Sequence, residues 1–354
     1  MSEETSYEIR VLPAGRRFRA RAGESVLEAA LRQGVALPYA CRSGTCGTCK
    51  ARVLRGEVDH GASPETTLSE AERRQGWALL CQARALSDLE LEVPGAGATL
   101  EGFPPRRMPV RVVRKKLLAP DVVRLLLKPP QGQRLPFLAG QYVDILLPGG
   151  KRRSFSLANP PHADETLELH IRHVPGGRFT HHVLHELQEG AILRIEGPYG
   201  EFHLREDSPW PILMLAGGTG FAPLKAMLEH AFHAGIQRPM HLYWGARARR
   251  DLYLDELPRR WAREHPHFRY TPVLSAPAPE DAWEGRAGWV HEALLEDHPD
   301  LSGFEVYAAG PPAMVKAART AFLEHGLPEE RFHSDPFEFA PDSQAAEAAS
   351  GPEG

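Results

Sequence analysis

CRSGTCGTC, residues 41–49, holds three of the four cysteines in a chain of 354 residues, and Cys81 is the fourth. The spacing Cys41-x4-Cys46-x2-Cys49 with a distant Cys81 is the plant-type pattern for a 2Fe–2S cluster. Four soft thiolates suit iron with bridging sulfide. Closely spaced ligands can wrap one side of such a cluster, and the distant one closes it. Gly44 and Gly47 let the backbone pass close to the sulfurs and aim N–H groups at them, which stabilises the reduced form. A structural zinc site usually shows two short CxxC pairs, and one is missing here. Inert buried thiols need no glycine-rich loop. All four cysteines are used, so Cys41, Cys46, Cys49 and Cys81 are the expected metal ligands.

Composition sets the bounds around this loop. Apolar residues make up 42% of the chain, a normal share for folded cores. The 42 basic and 46 acidic residues give a formal charge of −4, which argues against a nucleic-acid binder. The 32 glycines and 32 prolines suit short strands and turns more than a helical bundle. The acidic start MSEETSYEIRVLPAG has no apolar h-region, and no apolar run reaches the ~18–20 residues that cross a bilayer. A cytoplasmic protein without membrane contact is expected. In that reducing compartment clustered cysteines are more often metal ligands than disulfides.

The chain divides by pattern. Residues 1–95 surround the cysteine loop with a strand pair, YEIRVL and RFRAR, and a helix, SVLEAALRQG. Ser25 is that helix's N-cap with Glu28 three residues on, and Gly34 its C-cap. A strand KARVLRGEV, a helical SEAERRQG and a last strand DLELEV follow. Residues 96–105 read as a Pro/Gly-rich linker. Residues 106–206 are short β-rich runs interrupted by one helix-like segment, FTHHVLHELQEG, which suggests a small antiparallel barrel. From 207 to 340 strands such as PILMLA, MHLYWGA, RYTPVLS and EVYAAG alternate with helices such as PLKAMLEHAFHAG and LYLDELPRRWAREH. That alternation argues a parallel sheet with helices on both faces. Residues 341–354 are small and polar, and disorder is expected there.

Two motifs carry further chemistry. RSFSLAN, residues 153–159, fits R-x-Y/F-S-x-x-N after a strand. An arginine grips a pyrophosphate bidentately, a flat aromatic stacks on a flavin, and a serine beside it reaches the ring. HIRHVPGGRFTHHV, residues 170–183, sets Gly176, Gly177 and Thr180 at a helix start suited to phosphate. His181 and His185 share a helix face, but the metalloprotease pattern needs glutamate beside the first histidine, so a solvated face is the better reading. LAGGTGFAPLKAM, residues 215–227, is a Gly-rich turn between strand and helix, and YAAGPPAMV, residues 307–315, ends another strand where such sheets bind ligands.

In this order the pieces resemble the FAD-containing 2Fe–2S ferredoxin–NAD(P)H reductase family of oxygenase-reductase type. Phrases such as GEVDHG, LAGQYVDILL and LYWGARARRDLYLDEL resemble its CDP-6-deoxy-Δ3,4-glucoseen reductase type. The resemblance implies a multidomain α+β and α/β fold: a β-grasp plant-type ferredoxin domain, an antiparallel flavin barrel and a parallel α/β nicotinamide domain. It implies that Arg153 holds the FAD pyrophosphate, Phe155 stacks on the ring, Ser156 approaches N5, and Thr180 with Gly176 and Gly177 completes the phosphate site. His170 and Ile171 are counted with these flavin contacts. Gly217, Gly218, Thr219 and Gly220 would form the nicotinamide turn, with Gly310 and Pro311 lining the pocket. Phe337 in HSDPF would cover the flavin face, with Phe339 the other candidate. Ser156, Thr219 and Phe337 are the catalytic candidates.

Two departures matter. Phe155 stands where tyrosine is common, so a hydroxyl contact would be lost. Ala309 stands where many relatives have cysteine, so a working but slower flavin reduction is expected. Arg247, Arg249 and Arg250 could welcome a 2′-phosphate, yet the G-A-R…D-L-Y phrase with Asp251 resembles NADH users. NADH is therefore expected, with NADPH the alternative. The implied activity is electron transfer from NAD(P)H through FAD and the cluster to a separate acceptor, a deoxysugar dehydratase or an oxygenase. A self-contained flavin reductase of a small substrate and a redox-sensing module are the competing readings.

Overall fold

The computed structural model describes residues 5–35, 37–39, 41–45, 47–93 and 105–337. Cys46, Phe339, residues 96–104 of the expected linker and the tail 341–354 lie outside these residues. The chain forms two compact units, one of residues 1–105 with 198–201 and one of 106–197 with 202–354.

The first unit contains β1 (Ser6–Leu12), β2 (Arg16–Arg21), α1 (Val26–Arg32), β3 (Lys50–Arg55), β4 (Val58–Asp59), α2 (Glu70–Arg74), β5 (Trp77–Leu79), β6 (Arg84–Ala85) and β7 (Leu89–Glu92). Its main sheet runs β2-β1-β7-β3-β5. The β1–β7 pair is parallel and the others are antiparallel, giving the mixed β-grasp sheet. Both helices start with full capping boxes, Ser25 with Glu28 and Ser69 with Glu72, so each short helix has its first donors satisfied. In α1 the C-cap is Gln33, and Gly34 follows it at φ 70°, a left-handed position that glycine reaches without Cβ strain. Val26, Leu27, Ala29 and Ala30 are buried.

In the second unit, β8 (Arg106–Ala119), β9 (Val122–Lys128), β10 (Tyr142–Leu146), β11 (Arg152–Ser156), β12 (Leu167–Arg172), α3 (Arg178–His185) and β13 (Ile192–Tyr199) form the barrel. The strand order is β11-β10-β13-β8-β9-β12, and a Leu157–Leu169 bridge brings its two edges together. Bringing the edges together in this way shields them. Alternate residues such as Val123, Leu125 and Leu127 fill the interior.

The chain continues through β14 (Ile212–Gly217), α4 (Phe221–His233), β15 (Met240–Ala246), α5 (Glu256–Glu264), β16 (Phe268–Leu274), β17 (Arg286–Ala287), α6 (Val290–Asp297), β18 (Glu305–Gly310), α7 (Pro312–Glu324) and β19 (Phe332–Pro336). All pairs in the sheet β17-β16-β15-β14-β18-β19 are parallel. Met214 and Ala216 pack on one face while Leu213 and Leu215 pack on the other, which is why β14 reads as a continuous apolar run. Two features depart from the pattern reading. Helix α5 begins at Glu256 rather than near Leu252, because Asp251 folds back to accept from Ala248 N and the buried Tyr253 precedes the helix. HSDPF, read only as a motif, supplies most of β19, the sheet's edge strand.

Candidate functional site

The cysteine loop sits where β3 and β5 meet. Cys49 directly precedes β3 and Cys81 follows β5, and Leu80 N donates to Cys49 O at 3.1 Å, which holds the two segments together. Cys49 and Cys81 are 3% and 8% exposed, and their thiols hydrogen-bond each other. That contact pulls the Cys49 thiol down and pushes Cys81 up, with burial adding to the rise in Cys81. Cys41 lies close enough to act electrostatically on both. Arg42, Gly44 and Gly47 all adopt positive φ, at 62°, 92° and 79°. Such turns form concave nests of N–H groups that suit an anionic centre. Ser43 N points at Cys41 Sγ at 3.4 Å. Gln82 and Thr67 brace the loop through Arg42 O and Thr45 O. The Cys49–Cys81 pair, with Cys41 at the start of the loop, supplies the kind of soft donor a 2Fe–2S cluster takes. Cys46, the expected fourth ligand, is outside the described residues.

In the second unit, Arg153 and Phe155 leave β11 on one face because strand side chains alternate. Arg153, Gly176, Gly177 and Phe179 line one cleft of about 1080 Å³. Gly176 turns the chain at φ 73° into α3, and Gly177 is the N-cap. Thr180 Oγ1 accepts from Val174 N at 3.1 Å and donates to Gly177 O at 3.0 Å, so its hydroxyl braces the turn. Lys151, Arg178 and Arg194 add positive charge to the cleft walls, against Glu186. Such a cleft fits the diphosphate of FAD. Phe155 packs 5.9 Å from Phe179 between ring centroids. Ile171 is core and 1% exposed, and the His170 ring is engaged with Glu168 and Tyr253, so neither side chain reaches the cleft. His173 and His181 line the cleft, and His181 and His185 lie 4.5 Å apart between centroids. Among the described residues no group of three or more His, Cys, Asp or Glu could hold a metal ion.

The nicotinamide motifs interlock through glycine. A Cβ at Gly220 would sit 1.9 Å from Ala309 O, and one at Gly310 would sit 2.6 Å from Gly217 O. Only bare backbones allow β14's turn to lie this close to the end of β18. Gly310 also holds φ 135°, and Pro311 packs against Gly217. Trp244 donates its indole N–H to Gly218 O at 2.9 Å. Thr219 is partly exposed on this turn, and Arg247 is exposed beyond β15. Phe337 N donates to Gly310 O at 2.8 Å, which sets Phe337 beside the Gly310–Pro311 corner.

Two residues that the motifs did not single out join this place. Ser156 donates to Asp335 Oδ2 at 3.1 Å, both side chains being buried. Asp335 is paired in register with Ala309, so the barrel's serine meets the same strand end that Gly220 touches. The second is Arg172. Its Nη1 is held by Asp121 at 2.7 Å, its Nη2 is buried without a hydrogen-bond partner, and its head lies over Gly218. A spare guanidinium nitrogen above a phosphate-type turn is suited to an anion. Its sequence signal was its place in HIRH, directly after His170 and Ile171.

A thiol loop, a basic cleft beside a stacking aromatic and a glycine-locked turn at the end of a parallel sheet define an NAD(P)H-dependent flavin and iron–sulfur oxidoreductase. Residues 9–86 match the 2Fe–2S iron–sulfur cluster binding domain, 109–204 the oxidoreductase FAD-binding domain and 214–320 the oxidoreductase NAD-binding domain. The chain belongs to the FAD-containing 2Fe–2S ferredoxin–NAD(P)H reductase family. It is 41% identical over 332 residues to the CDP-6-deoxy-L-threo-D-glycero-4-hexulose-3-dehydrase reductase of Yersinia pestis, covering 94% of this chain and 98% of the relative. It is 38% identical over 340 residues to reductase component 1 of terephthalate 1,2-dioxygenase from Comamonas, covering 95% and 98%. The crystal structure of an Amycolatopsis cytochrome P-450 reductase superposes with a TM-score of 0.82 at 41% identity, covering 94% and 98%. Among the described residues no helix is long and apolar enough to cross a membrane.

Proposed function

We propose that this chain carries electrons from NADH to a separate protein in the cytoplasm, and that the acceptor is a dehydrase acting on a nucleotide-linked deoxysugar. The observation that carries the site reading is the Ser156–Asp335 hydrogen bond, which joins the flavin motif of the barrel to the nicotinamide end of the parallel sheet. The acceptor class rests on likeness to the Yersinia protein at 41% identity over almost its whole length. The likeness to the terephthalate dioxygenase component supports a second reading, delivery to an oxygenase.

In this proposal Cys41, Cys46, Cys49 and Cys81 hold the cluster in a domain of residues 1–95. Arg153, Gly176 and Gly177 hold the FAD diphosphate in residues 106–206, with Thr180 bracing their turn and Phe155 against the ring. Residues 207–340 bind the dinucleotide: the 217–220 turn takes the nicotinamide side, Arg172 reaches in from the barrel to a phosphate, and Arg247 lies toward the ribose. The chemistry supplied when FAD is bound is the conversion of a two-electron hydride into single electrons that a cluster can accept. Ser156 presents its hydroxyl there and Asp335 fixes its direction. Phe337 shields the pocket until the nicotinamide replaces it.

The test is the visible spectrum of the purified protein. Flavin bands with a 2Fe–2S shoulder, both bleached by NADH, are expected; a folded colourless protein refutes the proposal. Electron delivery to a purified deoxysugar dehydrase, compared with an aromatic oxygenase, separates the two acceptor classes.

A further inference from the structure

Helix α4 buries a lysine six residues beyond Thr219. Lys225 is 6% exposed. Its ammonium donates to Ala158 O at 2.9 Å and to Glu229 Oε2 at 2.9 Å, with Glu168 Oε1 at 3.6 Å. Glu168 Oε1 stands 2.8 Å from His170 Nε2, and His170 Nδ1 stands 3.0 Å from the Tyr253 hydroxyl. Tyr253 meets Trp244 edge-on at 5.2 Å, and Trp244 holds Gly218 O. The chain of contacts begins two residues past Ser156 and ends on the turn that carries Thr219.

Burying an ammonium between carboxylates is costly, and apolar packing could join α4 to the barrel more cheaply. What a directional network supplies instead is one register. The protonation states support it. Burial pushes Glu168 up, but the His170 bond and the Lys225 charge outweigh it and hold the carboxyl below its usual range. Burial pushes His170 down, so its ring is neutral. A neutral ring donates through Nε2 to Glu168 and accepts at Nδ1 from Tyr253, leaving no nitrogen idle. Burial raises Glu229. None of these groups belongs to the cleft, the cluster loop or the glycine lock.

We propose that this network pins the register of the hydride-transfer site, with Lys225 holding the strand end behind Ser156 against the helix behind Thr219. Lys225 is a positioning residue. It ties Ala158 to α4 directly, while the His170–Tyr253 arm ties β12 to the wall beneath Gly218. The two anchors lie on opposite partners of the reaction, so loosening them changes the distance between those partners rather than the affinity for either. The inference rests on the reading that Ser156 faces the flavin and Thr219 the nicotinamide.

The test uses the holoprotein. Wild-type flavin bleaching by NADH checks the underlying reading first. For Lys225→Met the limiting rate of bleaching at saturating NADH is expected to fall about 10- to 100-fold, since a misplacement of ~1 Å costs about that much. FAD content stays full and the NADH dissociation constant stays within about threefold, whereas Lys225→Arg recovers most of the rate. Hydrogen exchange followed by mass spectrometry should rise in residues 156–160 and 221–229 together. Should Lys225→Met fail to fold, Glu168→Gln is expected to give the same split on a smaller scale. An unchanged limiting rate in a fully flavinated variant overturns the proposal, as does a loss that lies wholly in NADH affinity.

Discussion

Gly220→Ala probes the glycine lock most directly. The added Cβ would lie 1.9 Å from Ala309 O, 2.4 Å from Ala309 C and 2.8 Å from Gly310 N, all of them backbone atoms. Ordinary contact begins at 3.4 Å, so the turn or the strand must give by about 1.5 Å. Ala309 is fixed from both sides, by Ala216 on β14 and Asp335 on β19, so the turn is the part that moves. Overpacking of this kind costs roughly 1–3 kcal/mol of stability. A shift of ~1 Å at Thr219 also lowers hydride transfer about 100-fold, equivalent to about 2.7 kcal/mol of barrier. Stopped-flow bleaching of the flavin at saturating NADH measures the rate, and thermal unfolding measures the stability. Gly303→Ala is the control, because nothing lies within 4 Å of a Cβ there. A Gly220→Ala protein that bleaches at the wild-type rate with wild-type NADH affinity refutes the reasoning.

Four further outcomes are expected. Cys81→Ser removes the cluster absorbance and cytochrome c reduction while NADH still bleaches the flavin; persistence of the cluster bands would show that Cys81 is not a ligand. Ser156→Ala, which loses the bond to Asp335, slows bleaching by about 10- to 100-fold with full FAD content, the range for a hydrogen bond to a charged group. Ala309→Cys is expected to speed flavin reduction, and an unchanged rate removes the idea that this alanine limits it. The fourth concerns acid stability. Burial, with His298 close by, pushes His241 from 6.5 down to about 4. Above pH 6.5 it is neutral in both states and contributes nothing; as pH falls from about 6.5 to 4 the unfolded chain takes the proton first, so stability is lost. By pH 5 the loss is on the order of 2 kcal/mol. Urea unfolding at pH 7 and pH 5 should therefore show a shallower pH dependence in His241→Gln than in the wild type.

By itself the sequence determined the chemistry that depends on residue type and local spacing. Cys41, Cys49 and Cys81 stand out as ligand candidates because a cluster demands thiolates and close ligands share a loop. The capping boxes at Ser25 and Ser69 involve residues three apart, so their bonds were nearly fixed by the order of the chain. Four of the six parallel strands followed from apolar runs alternating with helices; β17 and β19 were missed because two to five residues carry too little periodicity to show a strand. Tertiary structure alone decided which residues meet. Ser156 and Asp335 lie 179 positions apart, and nothing local to either announces the bond. Why Gly220 must be glycine became visible only with the Ala309 carbonyl against it. His170 read as a flavin contact by its motif, yet folding turned its ring toward Tyr253 and Glu168. Spacing along the chain specifies ligands that share a loop, whereas packing between elements specifies distances, and hydride transfer depends on distances.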